Sequence, residues 1–327
     1  MIPEAAARAI GSPLAAARRA AGGDINDAWA IELADGTRAF VKSRTAAKPG
    51  EYATEAAGLR WLGEVEDGLA VPAVLAVRDA AAGAAGMAGS ADGGSAGSAE
   101  GGSSGSFDSV GSSATGDPPF LALEWIDEGR LDARGEEELG RGLARVHAAG
   151  APAFGSPPPG APLGGLRLGA VELPAATAPD WPSFYAEHRL APLLRAAADR
   201  GALPPGGAAA IEAVIDRLPE LGGPPEPPAR LHGDLWSGNV LAGADGRPRL
   251  IDPAAYGGHR EVDLAMLRLF GAPSPRTLAA YEEVHPLAGG HERRVPLWQL
   301  LPLLVHAVLF GGSYGASAVQ AARRSAA

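Results

Sequence analysis

The sequence places two carboxylates and one amide close together along the chain. Asp234 and Asn239 lie in the segment LHGDLWSGNV (residues 231–240), and Asp252 follows a second short apolar run. A turn at residues 245–248 separates the two apolar pieces, so a hairpin would bring the three side chains to one end. Carboxylate and amide oxygens are the ligands that Mg²⁺ takes when it also binds phosphates. The pattern therefore predicts a site for phosphoryl transfer.

The order of these side chains suggests a role for each. In phosphoryl-transfer sites of this type, the first Asp accepts the proton of the acceptor hydroxyl, and the later Asn and Asp hold the metal. We therefore predict Asp234 as the catalytic residue and Asn239 and Asp252 as the metal ligands. The alternative is that Asp and Asn cap turns in an ordinary loop. The presence of all three between apolar strands favours the site.

The residues that follow resemble the fructosamine kinase (ketosamine-3-kinase) family. HGDLWSGN is followed by IDPAAYGGHREVDLAMLRLFG, and the match from Asp234 to Gly271 is nearly uninterrupted. Weaker matches cover residues 22–42 and 180–190. That family is a branch of the protein-kinase-like fold near the aminoglycoside phosphotransferases and choline kinases. The resemblance implies an α+β, bilobal fold with a small antiparallel-sheet N-lobe with one helix and a larger, mainly helical C-lobe.

The resemblance also implies a nucleotide site in the first part of the chain. Gly22 and Gly23 precede a strand hairpin turned at Asp35-Gly36, and the second strand ends at Lys42. In a kinase-like fold the glycines would lie near the nucleotide phosphates, and Lys42 would contact the α- and β-phosphates. The complete G-x-G-x-x-G spacing is absent, so an ordinary turn also explains the glycine pair.

A predicted helix over residues 51–66 supplies the partner that such a lysine requires. Glu55 aligns with the family's helix and is predicted to pair with Lys42, with Glu51 as the second choice. A solvated helix face would explain both glutamates. The strand over residues 120–126 leads into the connection between the lobes, which places Glu124, Trp125 and Ile126 at the adenine edge by position alone. A plain buried strand with Trp125 in the core explains these residue types equally well.

The predicted boundaries give an N-lobe over residues 1–126 and a C-lobe over residues 127–327. Residues 80–117 are almost entirely Gly, Ser and Ala and are interpreted as a flexible insertion in a loop between strands. Asp263 is predicted to brace the backbone of the catalytic loop. The remaining expectations are an exposed helix over residues 3–21 interrupted at 11–13, a strand over 71–77, helices over 136–149, 181–199, 205–218 and 262–270, an irregular segment over 154–179, a loop over 256–261, and helices from 281 onward.

Composition narrows the range of partners. The net charge of −10 argues against a nucleic-acid partner. The absence of cysteine excludes disulfides, thiolate metal sites and a thiol nucleophile. Neither a signal core nor a membrane-spanning stretch is recognisable, because the apolar run over residues 297–310 is too short. We expect a soluble cytoplasmic protein without membrane contact, monomeric or weakly dimeric.

The family implies ATP-dependent phosphorylation of the sugar 3-hydroxyl of fructosamine or ribulosamine adducts, with ATP and Mg²⁺ as cofactors and deglycation repair as the role. By the same resemblance, Trp236 would stack against the sugar, although a core role is the alternative. Gly233 and Pro253 stand where protein kinases have Arg and Phe, which favours a constitutively active small-molecule kinase. Two alternatives are an aminoglycoside- or choline-type phosphotransferase and a non-catalytic nucleotide-binding scaffold. The scaffold predicts loss of a site residue, yet Lys42, Asp234, Asn239 and Asp252 are all present.

Overall fold

The fold is built from an N-terminal antiparallel sheet and a larger helical part. A computed structural model describes residues 1–20, 27–80, 117–163, 165–271 and 273–327. Five strands form the N-terminal sheet in the order β1-β2-β3-β5-β4, with every neighbouring pair antiparallel. Its elements are α1 (Ile2–Ile10), β1 (Leu14–Arg19), β2 (Asp27–Leu33), β3 (Arg38–Ser43), α2 (Glu51–Gly63), β4 (Val74–Arg78) and β5 (Phe120–Glu124).

The β2–β3 hairpin forms as the Asp-Gly turn predicts. The Asp35 carboxylate accepts the Thr37 amide at 2.9 Å, and Gly36 takes a positive φ of 84°. The resulting register pairs Ala28 with Lys42, so the lysine lies near the end of a central strand. The predicted helix over residues 51–66 is confirmed as α2.

The first segment differs from its prediction. Only α1 is helical, and it is not an exposed helix, because Ala5, Ala6 and Ala7 are buried against the sheet. Gly11 ends the helix with a φ of 100°. The next residues, Leu14–Arg19, form the edge strand β1 rather than continuing as a helix. Ala and Arg favour helices locally, but pairing with β2 supplies backbone hydrogen bonds that outweigh that preference.

The C-terminal part is mainly helical, with four short strand pieces around the predicted catalytic loop and one small hairpin before it. Its elements are α3 (Ala133–Ala148), β6 (Leu166–Leu168), β7 (Val171–Leu173), α4 (Trp181–Tyr185), a π-helical turn (Ala186–Leu190), α5 (Ala191–Asp199), α6 (Gly207–Asp216), α7 (Leu218–Leu221), β8 (Ala229–Leu231), a 3₁₀ turn (Ser237–Asn239), β9 (Val240–Ala242), β10 (Pro248–Leu250), β11 (Tyr256–Gly258), α8 (Glu261–Leu267), α9 (Pro275–Val284), α10 (His291–Trp298), α11 (Leu300–Phe310) and α12 (Tyr314–Ala326).

Two segments predicted as irregular carry strands. Residues 154–179 include the β6–β7 hairpin, and residues 256–261 include β11, which pairs antiparallel with β8. Each strand is only three residues long, too short to produce a readable alternation of polar and apolar side chains. The β8–β11 pair matters for function, because it joins the segments on either side of the predicted site.

Apolar packing joins the two parts of the molecule. Leu62 of α2 and Leu69 lie in one buried cluster with Leu139 and Leu143 of α3 and Leu250 of β10. A separate, larger core fills the helical part around Trp181, Phe184, Tyr185 and Trp298. This cluster includes Leu62 of α2 and Leu250, two residues before Asp252. It therefore fixes the position of α2, the helix that carries Glu55, relative to the predicted metal ligand Asp252.

Buried ion pairs hold the segment after β11. Arg260 binds both carboxylate oxygens of Glu226 at 2.7 Å, and Arg294 binds Glu261 at 2.9 and 2.5 Å. His259 lies beside both glutamates and completes a group with metal-ligand spacing. The carboxylates already accept charge-assisted hydrogen bonds from the two guanidinium groups, so this group braces the fold. In the described ranges, no helix is long and apolar enough to cross a membrane.

Candidate active site

The loop after β8 is held by a buried carboxylate. Asp263 on α8 accepts the amides of His232 at 2.7 Å and Gly233 at 2.9 Å. Gly233 has a φ of 82°, and a Cβ there would lie 2.0 Å from the Ala254 carbonyl oxygen. Glycine is therefore required at this position. The backbone that presents Asp234 is thus fixed from two sides, which is the bracing contact predicted for Asp263.

His232 connects this loop to the segment that carries Asp252. Its Nε2 donates to the Ile251 carbonyl at 2.9 Å, and its Nδ1 accepts the Asp234 amide at 3.3 Å. The ring is completely buried, and burial lowers the pKa of His232. A neutral ring with its proton on Nε2 satisfies both hydrogen bonds. His232 therefore links two segments of the backbone, and it is the neighbouring Asp234 and Asp252 that are candidates for the reacting groups.

Asp234 and Asn239 are in direct contact. The Asn239 Nδ2 group donates to the Asp234 carbonyl at 2.8 Å and to its carboxylate Oδ2 at 3.3 Å. Burial raises the pKa of Asp234 to about 6, against the opposing effect of the Asn239 hydrogen bond. The backbone carbonyl of Asn239 accepts the Ile251 amide at 3.1 Å. This contact brings the ends of β9 and β10 together, as the hairpin prediction requires.

Lys42 reaches the same point from the N-terminal sheet. Its Nζ lies 2.7 Å from Glu55 and 2.6 Å from Asp252. Burial by itself would lower the pKa of Lys42, but the two carboxylates outweigh it and hold the pKa above its usual range. The predicted Lys42–Glu55 contact is therefore present. The second choice is wrong, because Glu51 binds Arg44 at 2.5 Å instead.

Asp252 takes an unusual backbone conformation. Its φ is 53°, in the left-handed region that non-glycine residues seldom occupy. Its side chain is half exposed, although Lys42 holds one oxygen. Burial by itself would raise the pKa of Asp252, but the charge of the Lys42 ammonium and its hydrogen bond outweigh burial, so the pKa is lowered. The carboxylate is therefore ionised and directed toward the space between the lobes.

An apolar cavity of about 540 Å³ lies between the lobes on one side of Asp252. Its walls include Phe40, Leu241 and Ile251, and the connecting segment of Glu124, Trp125 and Ile126 forms its edge. The Ala73 amide donates to the Glu124 side chain at 3.2 Å, and the Trp125 amide donates to the Arg38 carbonyl at 3.2 Å. In the described part of the chain, no bond to the Ile126 amide is found. At the edge of the cavity, the Ile126 amide thus has no hydrogen-bond partner among the described residues.

Trp125 does not lie in the core. Its ring is partly exposed, with the Arg18 guanidinium 5.2 Å from the ring centroid. Its Nε1 donates to Asp127 at 3.0 Å. The alternative of a plain buried strand is therefore wrong for this side chain. Only its position at the edge of the interlobe cavity agrees with the sequence prediction.

A second, polar cavity of about 200 Å³ lies beside Asp234 and Asp252. Arg44, Glu51 and Arg167 form its rim, and Arg167 comes from the β6–β7 hairpin. Sequence reasoning missed both arginines, because Arg167 lies in the segment predicted as irregular and Arg44, although only two residues after Lys42, belongs to no recognisable motif. Asp252 thus borders both cavities, whereas Asp234 lines only the polar one and Asn239 only the apolar one.

Trp236 lies on the wall of the interlobe cavity, together with Gly238 and Asn239. Its side chain is 38% exposed, which excludes the core role. Its ring meets Phe270 edge to face, with the centroids 6.3 Å apart. Gly22 and Gly23 lie outside the described residues, so their predicted position over the phosphates stays a prediction.

Comparison of the chain with known proteins identifies the family to which it is similar. The family model described as fructosamine kinase matches residues 3–326. A Synechocystis protein assigned as a ketoamine kinase is 35% identical over 202 residues, covering 62% of this chain and 65% of that protein. A Klebsiella aerogenes protein with the same assignment is 36% identical over 215 residues, covering 65% and 71%. The chain thus spans less than two thirds of the first relative and slightly more of the second.

Solved structures agree. A Thermobifida fusca crystal structure assigned as a fructosamine-3-kinase is 39% identical, with a TM-score of 0.80 over 99% of this chain and 98% of that one. The aminoglycoside phosphotransferase APH(4)-Ia, solved with AMP-PNP and hygromycin B, is 16% identical with a TM-score of 0.58 over 100% and 99%, which shows the fold alone. The bilobal kinase-like prediction is confirmed. With a family model spanning nearly its whole length, the chain belongs to the fructosamine kinase family.

Proposed function

We propose that this protein is an ATP-dependent kinase that phosphorylates the sugar 3-hydroxyl of ketosamines. The observation that carries the proposal is that Asp252 borders both cavities, while Asp234 lines the polar one and Asn239, bonded to Asp234, lines the apolar one. The family assignments of the relatives supply the substrate class. The lobe boundary between residues 126 and 127, and a cytoplasmic location where ATP is available, belong to the same proposal.

The interlobe cavity is suited to adenine. Its apolar walls would bury the base, and the Glu124 carbonyl and Ile126 amide would form hydrogen bonds with its edge. Lys42, held by Glu55, would bind the α- and β-phosphates. The ammonium of Lys42 now binds Asp252 at 2.6 Å, so phosphate oxygens would share or replace that contact.

Asn239 and Asp252 fit Mg²⁺ as ligands. The Nδ2 of Asn239 is bound to Asp234, which leaves the amide oxygen for a cation, and Asp252 is an ionised, half-exposed carboxylate. Hard oxygen donors of this kind suit Mg²⁺ together with phosphate oxygens. When bound, the ion would neutralise charge on the β- and γ-phosphates.

Asp234 would orient the acceptor hydroxyl and take its proton. Its raised pKa of about 6 makes the carboxylate a stronger base than an exposed Asp, yet still ionised near neutral pH. Trp236 would stack on the sugar ring from the edge of the cavity. The unstable 3-phosphate formed on the sugar would then break down and free the amine to which the sugar was attached. This release of the amine corresponds to deglycation repair.

An ATP-consumption screen tests the proposal directly. Fructose-lysine, ribulose-lysine, kanamycin and choline are offered separately to the wild-type protein and to Asp234→Asn. Turnover with the two ketosamines only, abolished by the substitution, is the expected result. Turnover with kanamycin or choline instead would support the related phosphotransferases, and nucleotide binding without turnover on any acceptor would support the scaffold.

A further inference from the structure

The polar cavity is where the reacting hydroxyl must lie if Asp234 is the base. Asp234 lines that cavity and does not line the apolar one, which is suited to adenine. The polar cavity holds about 200 Å³, so a group only a few bonds from the reacting hydroxyl stays within it or at its rim. Arg44 and Arg167 stand at this rim, one from each part of the molecule. The charge of the rim therefore bears on the groups next to the reacting hydroxyl.

The rim carries more positive than negative charge. Its two arginines share Glu51, which binds Arg44 at 2.5 Å and lies 3.6 Å from Arg167. Glu172 and Lys48, outside the cavity lining, add one charge of each sign, because Glu172 lies 2.8 Å from Arg167 and 2.6 Å from Lys48. These five groups together have an excess of one positive charge. The remaining charged groups of the lining are those assigned to the nucleotide, the metal ion and the proton transfer.

Arg167 is the freer of the two arginines. Among the residues that the structure describes, only its Nη1 donates a hydrogen bond, to the half-exposed Glu172. Leu166 and Leu168, its neighbours in β6, are buried in the core of the helical part, so the alternation along a strand puts Arg167 on the opposite face. The guanidinium group is thus positioned before a ligand arrives and has donors left for the two oxygens of a carboxylate.

We propose that Arg167, with the charge of Arg44 beside it, binds a carboxylate on the amine part of the acceptor, so that the protein selects ketosamines formed on the α-amine of free amino acids. This inference rests on the proposed function. In such an adduct the carboxyl carbon is two bonds from the nitrogen, close enough to stay at the rim of a small cavity. A carboxylate is favoured over a phosphate because the excess at the rim is a single charge.

The same argument separates free from protein-borne acceptors. An adduct on the side chain of a lysine within a protein has no carboxylate two bonds from its nitrogen. It would therefore leave the guanidinium group of Arg167 without the ligand that its free donors fit. A free amino acid linked through its α-amine supplies that ligand on every adduct.

The test compares the fructosyl adducts of glycine and glycinamide, which have nearly the same shape and differ in one charge. Wild-type protein has a KM about five- to thirtyfold lower for the glycine adduct, and Arg167→Met removes most of this difference. Arg167→Lys, which keeps the charge without the planar fork, retains part of it. The matched control is Arg141→Met, which leaves both KM values unchanged. Arg141 also contacts two carboxylates, of Glu137 and Glu283, but lines neither cavity.

A second substitution moves the preference in the opposite direction. Glu172→Gln removes a carboxylate that competes for Arg167 and raises the excess of positive charge. The KM of the glycine adduct therefore falls about two- to fivefold relative to that of the glycinamide adduct. A purely structural role of the β6–β7 hairpin would change both KM values together and leave their ratio constant. This variant carries the test if Arg167→Met does not fold.

Other outcomes overturn the inference. Equal wild-type KM values for the two adducts, or an Arg167→Met variant that keeps the wild-type ratio, show that the rim does not bind the carboxylate. A higher KM for ATP in Arg167→Met, with a constant ratio between the adducts, assigns Arg167 to the nucleotide phosphates instead. A wild-type protein that phosphorylates neither adduct, nor any other ketosamine, overturns the proposed function itself.

Discussion

At the scale of single residues, the two aspartates of the site differ in their surroundings. Asp234 is recessed beside Asn239, and burial raises its pKa to about 6. Asp252 has the Lys42 ammonium at 2.6 Å, which lowers its pKa. Environments that separate the pKa values of two carboxylates assign them different tasks, a proton acceptor and a permanent anion. The proposed base and the proposed metal ligand follow this division.

The pH dependence of activity follows from the raised pKa of Asp234. Only the carboxylate form accepts a proton, so activity is complete above that pKa and is lost as the pH falls through about 6. A profile of kcat/KM for the ketosamine from about pH 4.5 to about pH 8, a range that brackets the pKa of Asp234, measures this loss. Burial also raises the pKa of Glu55, to about 7. The limb near 6 must therefore persist in Glu55→Gln; its disappearance there would assign it to Glu55.

Removal of either carboxylate should abolish transfer without unfolding the protein. Asp234→Ala and Asp252→Ala are each expected to lower kcat by at least about 100-fold. Thermal unfolding should be nearly unchanged, because neither side chain supports the core. Asp245→Ala, in the exposed β9–β10 turn where Asp245 pairs with Arg249, is the control. Wild-type turnover in either active-site variant contradicts the assigned role.

At the scale of elements, α2 is held from both sides. Glu55 binds Lys42 of β3, while Glu51 in the first turn of the helix lies 3.6 Å from Arg167 of the β6–β7 hairpin. Glu172 of the hairpin also lies 2.6 Å from Lys48, just before the helix, and Thr54 of the helix accepts the amide of Leu163, just before the hairpin, at 3.1 Å. The hairpin thus connects the helical part to the helix that positions Lys42.

The contact of Glu55 with Lys42 should contribute more to kcat/KM for ATP than the contacts of Glu172 in the hairpin. Glu55→Gln removes the charge beside a buried ammonium and is expected to lower kcat/KM for ATP by about 10- to 100-fold. Glu172→Gln removes half-exposed ion pairs, which contribute little in water, so a change below about fivefold is expected. Initial-rate kinetics on both variants measures this. A larger loss in Glu172→Gln than in Glu55→Gln would show that the hairpin governs the helix.

The bracing of the catalytic loop by α8 predicts a stability effect. The Asp263 carboxylate accepts hydrogen bonds from two buried backbone amides and lies 3.3 Å from the Nε2 of His147. The Nδ1 of His147 in turn lies 2.8 Å from the Tyr281 hydroxyl. Asp263→Ala leaves these donors without a partner and is expected to lower the free energy of unfolding by about 3 kcal/mol. Urea unfolding measures the change, again with Asp245→Ala as control. A decrease in the free energy of unfolding below about 1 kcal/mol would mean that the catalytic loop keeps its conformation without Asp263.

At the scale of the whole molecule, the segment interpreted as an insertion interrupts a simple strand connection. β4 and β5 are antiparallel neighbours, and Arg78 pairs in register with Phe120. Asp117, just before β5, binds Arg8 of α1 at 2.7 Å and Arg78 of β4 at 2.6 Å, which holds the start of β5 against these two elements. Strand pairing and these ion pairs thus bring together the described residues on either side of 81–116, and the predicted insertion itself lies outside the described residues.

A short turn should therefore replace residues 81–116. With Asp117 retained, a Gly-Asn-Gly connection is expected to leave kcat within about twofold of wild type, because loop closure costs change slowly with length. Ketosamine kinetics and thermal unfolding check this, and a variant that replaces Asp117 by Ala in the same background tests the anchoring ion pairs. A large loss of kcat in the shortened protein would reveal a function in the segment.

The sequence alone determined the parts of the site that lie within local elements. Asp234, Asn239 and Asp252 follow from one motif and one hairpin. Lys42 and Glu55 follow from a strand and an amphipathic helix placed by the family resemblance. Turn chemistry and periodicity act over a few residues, so these patterns are readable without coordinates.

Tertiary structure decided what depends on pairing between distant segments. Leu14–Arg19 became a strand only because β2 offered a sheet edge, and β6–β7 brought Arg167 to the polar cavity. Ring contacts join Trp236 to Phe270 and Phe270 to His306, residues that are far apart in sequence. Such contacts depend on where helices and strands pack, and the local pattern of side chains carries no record of that.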